Sequence, residues 1–167
     1  MAKMTRLLLA FGSNEAGLWG DPQVAVRRAF DELGGHGVAL RSVSQLAITK
    51  PIGPEGQPDY VNAVATGQTA LDADSLLRLL KRLERSAGRS PGERWGPRPL
   101  DIDILDFGGA VAGWDQPHDP LHPAHLVLPH PELANRRFVL EPLAALAPEW
   151  RHPVLGLTPR QMLAALG

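Results

Sequence analysis

The run Leu100-Asp101-Ile102-Asp103-Ile104-Leu105 alternates carboxylates with apolar, mostly β-branched side chains, and it follows directly on Arg94-Trp95-Gly96-Pro97-Arg98-Pro99. Ile102, Ile104 and Leu105 predict a short buried strand. Successive strand side chains point to opposite faces, so Asp101 and Asp103 share one face and Ile102 and Ile104 the other. The α-carbons of the two acids then lie roughly 6.5 Å apart, twice the rise per residue. Two carboxylates so close beside a core repel each other unless cations compensate them. Magnesium does this with one or two carboxylates, waters and substrate phosphates. Arg94 and Arg98 flank the pair, and a guanidinium fork matches phosphate oxygens. The combination points to a metal–polyphosphate site. An Asp-x-Asp on an edge strand is by itself commonly just solvated, so the rest of the chain must decide.

With 167 residues the chain fits a single domain, residues 1–167, long enough to bury about 70% of its unfolded surface. Its net charge of −1 gives no global field favouring nucleic acid or an anionic membrane. The local field differs, because Arg78, Lys81, Arg82, Arg85, Arg89, Arg94 and Arg98 make up seven of the 17 basic residues. Arg78, Arg82 and Arg85 read as a solvated helix face; the others lead towards the acidic pair. The chain holds no cysteine, which excludes disulfides, thiolate metal sites and cysteine nucleophiles. The apolar run from Leu7 to Phe11 is too short for a signal peptide or a membrane span. A cytoplasmic, monomeric protein acting on small molecules is expected.

Residues 5–12 predict a buried strand ending at the turn cluster Gly12-Ser13-Asn14. Asp21-Pro22 predicts a helix N-cap with proline at the first helical position. Val26, Ala29, Phe30 and Leu33 form its stripe up to Gly34-Gly35. A second strand is expected within 38–48, then a proline- and glycine-rich loop over 49–58. A third strand spans Tyr60 to Thr69, with Tyr60, Asn62, Val64 and Thr66 on one face. Leu76, Leu79, Leu80, Leu83 and Ala87 predict an amphipathic helix over 73–87. After a basic loop comes the strand at 100–106. Residues 113–131, with five prolines and four histidines, should be irregular. Leu133 to Leu146 should be partly helical, and Thr158-Pro159 should cap a last helix carrying Met162, Leu163 and Leu166. The order β-α-β-β-α-β with trailing helices is the split-βαβ pattern. It predicts an α+β, ferredoxin-like antiparallel sheet with helices packed on it and further helices at the C-terminus.

Between about Leu7 and Pro153 these segments closely resemble the 6-hydroxymethyl-7,8-dihydropterin pyrophosphokinase family. The shared motifs are Gly12-Ser13-Asn14, Thr49 to Gly53, Gln57 to Ala63, Leu83-Glu84 with Gly88-Arg89, Arg94 to Leu105, and Leu128 to Leu143. The resemblance implies the same α+β fold and transfer of pyrophosphate from ATP to the pterin's hydroxymethyl group, releasing AMP, in folate biosynthesis. It implies that Thr49, Ile52, Tyr60, Asn62, Trp95 and Phe138 meet the pterin, Tyr60 and Phe138 as the two faces of a stack. Glu84, Arg89, Arg98, Ile104, His130 and Arg136 are the implied ATP contacts, Glu84 towards the nucleoside and Arg89 towards the phosphates. Asp101 and Asp103 would hold two Mg²⁺ ions, and with Arg89, Trp95 and Arg98 they form the implied catalytic set. Trp95 and Arg98 belong, in the family, to a mobile loop that closes over the substrates.

Three departures stand out. Glu15 to Gly20 run longer than the family's usual spacing. Pro91 stands where the family often has a second arginine, so that role is either lost or taken by Arg94. The loop holding His118, His122 and His125 is also long, and nothing in the sequence orders these histidines as zinc ligands. Rival readings are a metal-dependent kinase or nucleotidyltransferase with another acceptor, and a non-catalytic RNA-binding module. Walker-type and Gly-x-Gly-x-x-Gly loops are absent, which removes the commonest nucleotide sites. A carboxylate pair hinders RNA binding.

Overall fold

The computed structural model describes residues 3–49, 59–89, 98–114 and 126–167. Among these described residues five strands form one sheet: β1 (Thr5–Ser13), β2 (Val38–Val43), β3 (Ala47–Thr49), β4 (Tyr60–Thr69) and β5 (Asp101–Phe107). Their order is β2-β4-β1-β5, with β3 also paired to β4, and every pairing is antiparallel. The helices are α1 (Pro22–Gly34), α2 (Ala73–Ser86), α3 (Arg137–Leu146) and α4 (Pro159–Leu166), with a 3-10 turn at Leu133–Asn135. This is an α+β fold.

The two sheet faces carry different helices. Leu7, Leu9, Phe11, Val61, Ala63, Ala65, Ile102 and Ile104 pack against Val26, Ala29 and Leu33 of α1 and Leu76, Leu79, Leu80 and Leu83 of α2. Each such buried leucine contributes about 1.5–3 kcal/mol relative to exposure. Leu8, Val64 and Leu105, on the other face, meet Leu133, Val139, Leu140 and Leu143 around α3, and Met162 of α4. The alternation read from the sequence therefore divides the side chains of β1, β4 and β5 between two separate apolar clusters.

Local signals account for most of the boundaries. Asp72 caps α2 by accepting from the Ser75 amide at 2.7 Å. Thr158 and Gln161 form a reciprocal capping box at the start of α4, the arrangement that satisfies two orphan amide donors at once. Several expectations are corrected. Asp21 occupies the N-cap of α1 but makes no side-chain cap bond, although Pro22 does open the helix. The single strand expected over 38–48 is split into β2 and β3, because Ser44 leaves the ladder: its hydroxyl accepts from the Val64 amide at 2.9 Å and its own amide donates to the Val64 carbonyl at 2.8 Å. Thr49, expected in the loop, ends β3 opposite Tyr60. Leu166 is exposed rather than part of the α4 stripe. A β-bulge between Leu8 and Leu9 lets both Leu105 and Asp106 turn inwards on β5.

Candidate active site

The face of the sheet opposite α1 and α2 is only partly covered. Registration places Asn62, Gly12 and Asp101 in one row across β4, β1 and β5, and Val64, Ala10 and Asp103 in the next. Directly opposite residues share a face, so Asn62, Asp101 and Asp103 all look out of the same surface. Gly12 and Ala10 keep the floor between them low: a Cβ on Gly12 would already stand 3.4 Å from the Asn62 side-chain oxygen. Tyr60, two residues before Asn62, lies on the same face and opposite Thr49. Tyr60 is 46% exposed and Phe138, in the first turn of α3, 47%. Large aromatics left this open suit a flat ligand more than a core.

Cations converge on the acid pair. Asp101 pairs with Arg89 at 2.9 Å through one oxygen and with Arg98 at 3.3 Å through the other. Asp103 faces Arg136 at 3.6 Å and His130 Nε2 at 3.8 Å. Arg136 immediately precedes α3 and lies 5.9 Å from the Phe138 ring, so its pairing with Asp103 brings the start of α3 to the rim of the row. His130 is set by its amide, which donates to the Leu105 carbonyl at 2.9 Å, just after the cis Leu128–Pro129 bond.

The charges are strained in an informative way. Burial, reinforced by the neighbouring Asp101 charge, pushes the Asp103 carboxyl up to about 7, against the pull of Arg136. Burial and the Arg136 charge bring His130 down to about 4. His130 is thus a neutral imidazole at pH 7. Its Nδ1 accepts from the Glu132 amide at 3.1 Å, which leaves the proton on Nε2, facing Asp103. Among the described residues no group of three or more His, Asp and Glu is arranged to hold a metal. Two carboxylates completed by water and phosphate oxygens are nevertheless the ordinary donor set for Mg²⁺, and a pair in which one acid is pushed towards neutrality has room for added positive charge. Asp101 and Asp103 fit that ion.

Glu84, for which the resemblance implies a nucleoside contact, is held within the protein. It is 1% exposed, and both its oxygens are engaged: one meets Arg89 at 2.8 Å and Lys81 at 3.4 Å, the other accepts from the Ile102 amide at 2.8 Å. The last bond covers an outward amide of β5, an edge strand that would otherwise be open to pairing. Burial pushes the Glu84 carboxyl up, against the Lys81 charge. Burial also works against the Arg89 charge, but Glu84 and Asp101 outweigh it and hold that guanidinium above its ordinary value. Ile104 likewise turns its side chain into the core, which leaves its main chain for any ligand. Ile52, Arg94, Trp95, His118, His122 and His125 lie outside the described residues. Arg78, Arg82 and Arg85 are exposed, as expected of a solvated face. Arg137 is exposed too, paired with Glu141 at 3.4 Å.

Residues 8–148 match the model of the 7,8-dihydro-6-hydroxymethylpterin-pyrophosphokinase family. The chain belongs to that family. It is 40% identical over 149 residues to the 2-amino-4-hydroxy-6-hydroxymethyldihydropteridine pyrophosphokinase of Pseudomonas aeruginosa, a match covering 89% of this chain and 84% of that protein. The protein of the same name from Synechocystis is 36% identical over 127 residues, 76% of this chain. The match spans only 60% of the Synechocystis protein's length. In fold, the chain superposes on a crystal structure of Plasmodium falciparum HPPK-DHPS with a TM-score of 0.69 at 15% identity, over 99% of this chain and 46% of that one.

The opening Gly12-Ser13-Asn14 motif has a structural setting that spacing alone leaves undefined. Ser13 donates to the Pro99 carbonyl at 2.7 Å, and the Asn14 side chain accepts from the Arg98 amide at 2.6 Å. Neither residue was among the expected site residues. The one available signal was the recurrence of the tripeptide beside the other pyrophosphokinase motifs.

Proposed function

We propose that this chain transfers the β,γ-pyrophosphoryl group of ATP to the hydroxymethyl oxygen of 6-hydroxymethyl-7,8-dihydropterin, releasing AMP, as a step of folate synthesis. The observation that carries this is the pairing of Asp101 and Asp103 on one open face with Arg89, Arg98 and Arg136 converging on them. Asp101 and Asp103 would hold Mg²⁺, two ions being the expectation; when bound, the metal neutralises phosphate charge and makes the attacking alcohol more acidic. Arg89, Arg98 and Arg136 exchange carboxylate oxygens for phosphate oxygens, which guanidinium forks fit equally well. His130, neutral, donates from Nε2 to a phosphate oxygen. Glu84 serves the nucleotide through Arg89, by holding its guanidinium towards the site. Catalysis is then alignment plus stabilisation of developing charge. A carboxylate of the pair can accept the alcohol's proton directly or through water.

Tyr60 and Phe138 would hold the two faces of the pterin, with Asn62, Thr49 and the main chain at Ile52 reading its polar edge. Trp95 would cover the bound substrates. The order β2-β4-β1-β5 with antiparallel neighbours supports a ferredoxin-like reading of the sheet. Two apolar clusters on one shared sheet support a single domain. With this reading goes a monomeric, cytoplasmic enzyme, as expected for one acting on ATP and a small pterin.

The test is AMP release from ATP by the purified protein, with and without the pterin and with and without Mg²⁺. Release that requires both supports the reading. Release of ADP, or AMP release indifferent to the pterin, overturns it in favour of a kinase or nucleotidyltransferase with another acceptor.

A further inference from the structure

The turn between β1 and α1 touches the polypeptide on both sides of the site's arginines. On one side, Asn14 and Arg98 form a reciprocal pair: the Arg98 amide donates to the Asn14 side-chain oxygen at 2.6 Å, and the Asn14 amide donates to the Arg98 carbonyl at 3.0 Å. Ser13 adds its hydroxyl to the Pro99 carbonyl at 2.7 Å. On the other side, the Leu18 amide donates to the Ala87 carbonyl at 2.9 Å, two residues before Arg89. Gly17 lies between the two sides. A Cβ there would run into the Ala87 carbonyl oxygen and stand 2.6 Å from Pro99 Cβ, so only glycine lets the three segments meet.

The turn is itself anchored. Gly17 and Gly20 exchange amide–carbonyl bonds of 3.1 Å each, and Trp19 between them is buried in the α1–α2 cluster with the Arg28 guanidinium 4.6 Å from its ring centre. Gly88, with φ of +111°, carries the chain out of α2 directly against Leu18. The turn is therefore a fixed bracket. What it fixes are the two points from which Arg89 and Arg98 reach the opposite oxygens of Asp101, at 2.9 and 3.3 Å. Asp101 follows Pro99 by two residues, so the same bonds also set where β5 begins.

We infer that Asn14, Ser13 and Gly17 are positioning residues for the transfer reaction: the β1–α1 turn clamps residues 87 and 98–99 together and so sets the mutual placement of Arg89, Arg98 and Asp101. This rests on the pyrophosphokinase reading. It assigns these residues no contact with substrate. The extra length of Glu15 to Gly20 acquires a purpose, since Gly17, Leu18 and Trp19 are the residues that reach Ala87, Pro99 and the core.

The experiment compares wild type with Asn14→Ala, Asn14→Asp, Ser13→Ala and Gly17→Ala. It measures kcat and KM for Mg-ATP and the pterin well below the melting temperature, and affinity for a nonhydrolysable ATP analogue by calorimetry. A misplacement near 1 Å in supporting structure can cost about 10²-fold, so Asn14→Ala and Gly17→Ala should lower kcat by roughly 10- to 100-fold. Ground-state affinity for the analogue should change far less. Asn14→Asp keeps the oxygen that accepts from Arg98 and should restore most of the rate. Asn14→Ala added to Arg98→Ala should cost much less than it does alone, because the two share one effect. If Asn14→Ala does not fold, Ser13→Ala, alone and combined with Arg98→Ala, decides by the same criterion. Folded variants with unchanged kcat, or full additivity with Arg98→Ala, overturn the positioning role alone. A wild type that releases no AMP overturns the pyrophosphokinase reading, and this role with it.

Discussion

The sheet face opposite α1 and α2 has two halves built from the same strands, and they have opposite characters. In the covered half Leu8, Val64 and Leu105 lie under Val139, Leu140, Leu143 and Met162. Two to four residues further along the strands, beyond the start of α3, the same face carries Asn62, Gly12, Asp101 and Asp103. In one half the sheet finds apolar partners; in the other it offers acids, an amide and a low floor, and cations gather over it. The difference teaches that the site is a stretch of sheet face that α3 stops short of covering. Arg136, just before α3, marks the boundary by pairing with Asp103.

That contrast breaks most sharply at the acids. Asp101→Ala or Asp103→Ala should lower kcat by at least the 10²–10³-fold typical of losing one electrostatic stabiliser, with the circular dichroism spectrum unchanged; near-normal turnover at saturating Mg²⁺ would remove both residues from the metal role. In the covered half, Leu140→Ala should do the reverse. It should cost about 2–5 kcal/mol of stability in denaturant titrations and leave kcat of the folded fraction alone. Loss of rate at full folding would mean that the two halves are not separable.

A smaller effect is expected at the aromatic rim. Tyr60→Ala and Phe138→Ala should each weaken pterin binding by roughly 1–3 kcal/mol, the magnitude of base stacking on an aromatic ring. ATP affinity should barely move. Calorimetry showing equal losses for both ligands would mark these rings as packing.

The smallest expected effect is a pH slope in stability, measured with metal chelated. Asp103 stands at about 7 in the fold against 3.8 unperturbed, so the folded protein holds the extra proton between those values. Its contribution is full below pH 3.8 and is lost as pH climbs through 7. His130 works oppositely: held at about 4 against 6.5, it makes stability rise with pH between those values. The two oppose each other up to pH 6.5, above which only the Asp103 decline continues. Asp103→Asn should flatten the fall in melting temperature above pH 6.5. An unchanged slope in this variant would mean that the carboxyl is ionised throughout.

Much of this was legible in the chain. Period-2 alternation in β4 and β5 and the leucine stripe of α2 fixed which side chains share a face, because successive strand residues point opposite ways and helical neighbours recur every three or four. The same alternation set Asp101 and Asp103 on one face. Motif resemblance pointed to the family. Glu84 shows what motifs leave open: the resemblance implies a nucleoside contact, and packing sets its side chain between Arg89 and the edge of β5. Ser44, which divides the strand expected over 38–48, gave no signal either, since its effect depends on Val64 across the sheet. The sequence by itself determined the alternation, the helix stripes, the Thr158 cap of α4 and the acid pair, all set by neighbours within a few positions. The tertiary structure alone decided that α3 leaves part of the sheet open, that three arginines converge there, and that the β1–α1 turn grips the chain around them. Those are contacts between residues as far as 86 positions apart, which no local pattern encodes.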